Sequence, residues 1–173
     1  MTRTLTLSLM LLAPAALAES AGGLSWKAPA GWKTDGPRPM RVATYKIAAA
    51  KGDPEEAELA VFYFGKGEGG AVDANLTRWY GQFVQPDGKP SDKAAKTEKK
   101  KVNGLAVTTV DLSGTYTASM GPMAPKTNKA GYRLLGAIVE GPEGNVFFKL
   151  TGPAKTVAAA KADFDKLLGS LSK

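Results

Sequence analysis

The side chains able to do chemistry in this chain are carboxylates, lysines, tyrosines, serines and methionines, for it has no histidine and no cysteine. That excludes Ser-His-Asp and Cys-His nucleophiles, zinc sites of the usual nitrogen and sulfur type, haem or iron–sulfur ligation by those residues, and disulfides. Met120-Gly121-Pro122-Met123 is the one constellation suited to a soft metal. Thioethers favour Cu(I), with Met40 as a possible third sulfur, although methionine serves equally as an adaptable filler of apolar surface. Asp53, Glu55, Glu56 and Glu58 form an acidic cluster without the acid spacing and turn glycine of a calcium loop; it reads as a solvated hairpin end. Nothing selects a carboxylate pair for glycoside hydrolysis, and the Ser170-x-x-Lys173 match occupies the last four residues. No catalytic residue, resident metal or cofactor is assigned, and the chain is not expected to be an enzyme.

Gly65, Gly67 and Gly70 match a dinucleotide fingerprint between a strand and a helix. A helix N-terminus with bare amides suits an anion. The remainder of the pattern fails, because it needs a parallel βαβ unit and an acid ending the next strand, whereas this helix runs into Gln85-Pro86-Asp87-Gly88. The glycines therefore read as a tight strand-to-helix turn.

The elements that must position these groups follow from periodicity and turn signals. Leu24 to Trp32 suggests a short strand entering a Pro-Gly turn, and Met40 to Ile47 another strand. Lys51 to Glu56 holds a Gly-Asp-Pro turn, and Leu59 to Phe64 is apolar on both faces, as in a covered central strand. A helix is expected over about Val72 to Phe83, with Asp73 as N-cap and Leu76, Trp79, Tyr80 and Phe83 on one stripe. Asn103-Gly104 between Thr97–Val102 and Leu105–Leu112 predicts a hairpin. Ser113 to Gly131 reads as a long surface loop. Tyr132–Glu140 and Asn145–Thr151 form a second hairpin, and a helix starts at Pro153 with Val157, Phe164, Leu167, Leu168 and Leu171 on its apolar face. The expectation is an α+β fold, a largely antiparallel sheet with two main helices packed on it.

Residues 1–18 carry a basic start, a short apolar run and Ala16-Leu17-Ala18, the three parts of a secretory signal peptide cleaved after Ala18. Residues 19–173 are then expected to form a single α+β domain, periplasmic or secreted, with no membrane span. Six lysines lie between Lys89 and Lys101 in a chain of net charge +7. That stretch has no arginine to fork onto phosphates and no aromatic residue to stack on bases, so it reads as a solvated mobile loop, with no nucleic-acid partner.

Pro29-x-Gly31-Trp32 after the first short strand, and the terminal Phe164-x-x-Leu167-Leu168-x-Ser170-Leu171, resemble the PsbP-like superfamily. Tyr63-Phe64-Gly65 and Asn75-x-x-Arg78-Trp79 look like its bacterial exported branch. The resemblance implies an α/β/α sandwich that acts by binding another protein rather than by catalysis. The expected function is an exported non-enzymatic binding or adaptor domain for another exported or envelope protein. Its expected surface is the glycine turn and the next helix: Lys66, Glu68, Asn75, Arg78 and Gln82. The alternative is a periplasmic small-ligand or Cu(I) carrier using Met120 and Met123.

Overall fold

The computed structural model describes residues 18–36, 38–117 and 128–173. The expected signal segment (apart from Ala18) and the Met120–Met123 constellation lie outside the described residues. In chain order the elements are β1 (Ala18–Ala21), β2 (Leu24–Lys27), β3 (Lys33–Thr34), β4 (Ala43–Ile47), β5 (Ala57–Tyr63), α1 (Val72–Tyr80), β6 (Phe83–Val84), α2 (Ser91–Ala94), β7 (Lys96–Val102), β8 (Leu105–Tyr116), β9 (Lys129–Gly141), β10 (Gly144–Pro153) and α3 (Ala154–Gly169). β1 and β2 pair with each other. The other eight strands form one sheet in the order β3-β4-β5-β10-β9-β8-β6, with β7 also on β8. Every described pairing is antiparallel, which removes the parallel unit that a dinucleotide fingerprint requires.

Alternate residues of a strand point to opposite faces, and β9 divides its side chains accordingly. Leu135, Ala137 and Val139 join Val61, Phe148 and Leu150 under the α3 stripe of Val157, Ala160, Phe164, Leu167 and Leu168. Leu24 and Trp26 of β2 pack into the same layer, where Trp26 meets Phe148 edge-on at 5.2 Å. Leu134 and Ile138 face the other way, with Val110, Leu112 and Phe147, beneath Leu76 and Trp79 of α1. The result is a helix on each face of the sheet.

Loops hold both ends of α3. At its start Asp53, in the β4–β5 loop, accepts hydrogen bonds on Oδ2 from the Thr156 amide at 2.7 Å and the Thr156 hydroxyl at 2.6 Å. At its end Asn103 Nδ2 donates to the Gly169 and Leu171 carbonyls at 3.1 and 2.8 Å. These contacts satisfy terminal groups that a helix cannot pair internally. Asp53→Ala is expected to lower unfolding free energy by about 1–2 kcal/mol, as loss of an N-terminal cap does. Urea titration measures it, and a change indistinguishable from zero would show that the cap does not hold the helix.

Four expectations need correction. α1 stops at Tyr80, and Gly81 turns the chain so that Phe83 pairs with Tyr116 as strand β6; Phe83 is buried from a strand rather than from the helix. Ala71 rather than Asp73 occupies the N-cap position. The lysine-rich stretch is not a loop throughout: α2 lies within it, and its second half is β7, the strand expected over Thr97–Val102, starting one residue earlier at Lys96 and paired with β8. β7 is exposed on both faces, so no apolar alternation marks it, while its lysines discourage pairing along the free edge. The expected long loop is also trimmed at both ends, since β8 runs on to Tyr116 and β9 begins at Lys129.

Candidate functional site

α1 is nine residues long and covers β8, β9 and the adjoining part of β10. The same face of the sheet continues past it onto β5 and β4. There the register sets Thr151 opposite Glu58, Lys149 opposite Ala60, and Glu58 opposite Lys46. On its other side Lys149 faces Gly136 of β9. A long cationic side chain thus stands between two small residues, and a basin of about 240 Å³ opens around it. Its lining includes Arg41, Lys46, Glu58, Phe62, Tyr116 and Tyr132.

Each wall is built by local packing. On the β5 side the Arg41 guanidinium lies 5.6 Å from the centre of the Phe62 ring, and Phe62 stacks on Phe64 at 6.1 Å. On the β8–β9 side Tyr116 and Tyr132 stack at 5.9 Å, with Phe83 against Tyr116 at 5.2 Å. Glu58 accepts from Arg41 at 2.7 Å and from Lys46 at 2.8 Å. Burial pushes its carboxyl up, but those two cations outweigh it and hold the group below its ordinary range. Glu55 takes Lys129 at 2.8 Å and the Tyr132 hydroxyl; the lysine bond first, then the phenol, lowers its carboxyl. Burial raises the Tyr116 phenol, assisted by the Glu58 charge.

Lys149 is the exception. Its Nζ donates to Gln82 Oε1 at 2.6 Å and to the Tyr116 hydroxyl at 3.2 Å, and lies 5.2 Å from the Tyr116 ring centre. No carboxylate pairs with it, and all sixteen acidic residues of the chain are among the described ones. Burial, reinforced by the Arg41 charge and only partly offset by Glu58, pushes its amine down to about 8.

The five residues expected to form a surface differ in exposure. Lys66, Glu68 and Arg78 are exposed. Asn75 is 2% exposed and serves the glycine turn, donating to the Gly69 and Ala71 carbonyls at 2.8 and 2.9 Å and accepting from Arg78 at 3.0 Å. Those glycines bend the chain through φ values of 109°, 78°, 89° and 76° at Gly65, Gly67, Gly69 and Gly70, a conformation that side chains resist. Gln82 touches the basin through Lys149. Met40 sits in a turn and is 72% exposed. The acidic cluster is divided among three tasks: Asp53 caps α3, Glu55 holds Lys129, and Glu58 holds Arg41 and Lys46. Sequence reasoning missed Arg41, Lys46, Tyr116, Tyr132 and Lys149. One signal was present: a lysine between Phe148 and Leu150 in a strand that should be covered on both faces.

No protein-family model matches the sequence, and no curated protein does. Solved structures do. The solution structure of cyanobacterial PsbP from Synechocystis sp. PCC 6803 aligns over 95% of this chain and 96% of its own, with a TM-score of 0.51 and 11% identity. A Pseudomonas aeruginosa protein of unknown function aligns over 91% of this chain and 96% of its own, with a TM-score of 0.50 and 12% identity. With α3 on one face of a largely antiparallel sheet and α1 on the other, this chain has the PsbP-like fold.

Proposed function

We propose that the chain is an exported, non-enzymatic binding domain that receives another exported or envelope protein on the part of the sheet α1 leaves uncovered. One observation carries the choice of surface: Lys149, a desolvated cation with no carboxylate, stands at the floor of an open basin. A fold gains nothing in stability from such a group, so its place is better explained by a ligand than by packing. The signal-like residues 1–18 support export. The chain's lack of histidine and cysteine and its PsbP-like fold favour binding over catalysis, though fold alone does not set function.

The test is site-specific photo-crosslinking in the producing cell. A photoreactive phenylalanine analogue replaces Glu56, which is exposed at the basin, or Lys161, which is exposed on α3. The expected result is a discrete protein adduct from the Glu56 position in the envelope or secreted fraction, lost when Arg41→Gln and Lys149→Met are added, and none from the Lys161 position. An adduct from Lys161 alone, or none from Glu56, overturns this reading.

A further inference from the structure

We infer that the group seated over Lys149 is a carboxylate side chain from an acidic segment of the protein partner, with apolar residues of that segment packed alongside. This rests on the reading above and adds the chemistry of what is recognised.

The first argument is charge. The basin is lined by four cations, Arg41, Lys46, Lys129 and Lys149, and three carboxylates, Glu55, Glu56 and Glu58. Arg41 and Lys46 share Glu58, and Lys129 takes Glu55. One negative charge is missing, and the cation without a carboxylate is Lys149. A carboxylate supplies a single charge. A phosphate dianion overshoots the balance and would stand beside Glu55 and Glu58.

The second argument is hydrogen bonding. An ammonium has three protons to donate; Gln82 and Tyr116 take two of those of Lys149, and the third has no acceptor among the described residues. The Tyr116 oxygen accepts from Lys149, which leaves its own O–H to donate. An N–H and an O–H side by side fit the two oxygens of one carboxylate, and such charge-assisted bonds are the strong ones. The lowered amine of Lys149 agrees with this, since an anion in place would raise it again.

The third argument separates a protein side chain from a free small acid. A volume of about 240 Å³ is below the ~300–1,000 Å³ usual for small-molecule sites. It suits one side chain whose methylenes lie between Phe62 and the stacked Tyr116 and Tyr132. The surface beside the basin is apolar: of the four large hydrophobic residues exposed among the described ones, Met40, Val42 and Phe64 adjoin Arg41 and Phe62. Val42 hydrogen-bonds the Val61 carbonyl at 2.9 Å, and Phe64 stacks on Phe62. By strand alternation both share the face of Lys46 and Glu58. A desolvated polar anchor beside exposed apolar side chains is the pattern of a protein interface.

The test uses two blocked peptides, acetyl-Gly-Leu-Glu-Leu-Gly-amide and the same peptide with Gln for Glu, and free glutarate. Each is titrated into the protein and followed by NMR at the Lys149 side chain and the surrounding amides. The Glu peptide is expected to bind at least tenfold more tightly than the Gln peptide and to shift the Lys149 resonances. Lys149→Met should reduce it to the Gln level, Tyr116→Phe should weaken it about threefold, and Lys99→Gln with Lys100→Gln on β7 should leave it within twofold. Equal binding of the two peptides, or binding unaffected by Lys149→Met in a variant whose spectrum is folded, overturns the inference. Glutarate binding as tightly as the peptide would make this a small-acid site and overturn it too. If the Glu56 crosslink depends on the basin while neither peptide binds, the carboxylate inference falls and the partner reading stands. If the crosslink is absent, the partner reading itself falls.

Discussion

Replacing Lys149 by methionine is expected to make the protein more stable at pH 7, by about 2 kcal/mol. The folded state pushes this amine down to about 8 from an ordinary 10.5, with burial as the main cause. Each pH unit of such a shift corresponds to about 1.4 kcal/mol; the charged form therefore costs on the order of 3 kcal/mol. Methionine keeps the length and flexibility of the side chain without the charge, and losing the bonds to Gln82 and Tyr116 takes back about 1 kcal/mol. The sign with pH follows from proton counts. Between about 8 and 10.5 the unfolded chain holds the proton and the folded chain has released it, so wild-type stability rises with pH in that window. The variant lacks this rise, and the gap between them should close largely by about pH 9.5. The charged and titratable groups facing Lys149 are Arg41 beside β4, Lys46 on β4, Glu55 and Glu56 before β5, Glu58 on β5, Tyr116 on β8, and Lys129 and Tyr132 on β9; burial raises both phenols. Urea unfolding at pH 7 and pH 9.5 measures both quantities. A variant less stable at pH 7, or a gap that does not narrow, would mean that the ammonium is adequately solvated in the fold. A stabilising change at the proposed binding residue fits the common finding that sites are kept at some expense of stability.

How much of this was legible in the sequence depends on the range over which each feature is encoded. α3 announces itself through Pro153 and a helical stripe, the β7–β8 hairpin through Asn103-Gly104, and β5 through its continuous apolar run; all are local signals, and all appear in the structure. β7 shows one local signal overriding another, since its composition reads as loop while its turn reads as hairpin. β6 was illegible because two residues carry no period, and Phe83 happens to continue the α1 stripe. The basin was illegible for a different reason. Its residues come from five strands and their flanks and meet only through register: Lys149 against Ala60 on one side and Gly136 on the other. A shift of one residue in β10 would put Phe148 or Leu150 there instead. The Lys66 to Gln82 surface was drawn from helix periodicity, which does not reveal that Asn75 turns inward to hold the glycine turn while Gln82 reaches the sheet.

The largest loss of stability is expected from Gly136→Ala. Gly136 lies in β9 between Leu135 and Ala137, faces Val110 of β8 and Lys149 of β10, and has the Trp79 indole directly over it. A methyl group there would come within 2.7 Å of Val110 Cγ1 and 2.8 Å of Trp79 Cε3, and closer still to Trp79 Cζ3. Neither neighbour can give way cheaply, since Trp79 is 5% exposed and Val110 is 2% exposed, and interiors this dense transmit displacement rather than absorb it. The indole must leave its seat and lift α1 from the sheet, at a cost of about 3 kcal/mol or more, the upper end of overpacking effects. Trp79→Leu relieves the clash by removing the ring over the glycine, so the double variant should lose about 1–2 kcal/mol less than the two single losses together, the coupling expected of residues in contact. Urea titration of the four proteins measures the cycle. A Gly136→Ala variant within about 1 kcal/mol of wild type, or strictly additive losses, would show that the indole does not rest on this glycine. The consequence reaches the basin, because α1 leads directly into Gln82, whose amide oxygen accepts from Lys149 at 2.6 Å. The missing side chain at position 136 therefore does two things with one absence: it seats α1 on the sheet, and it leaves the space beside Lys149 that a bulkier residue in β9 would fill.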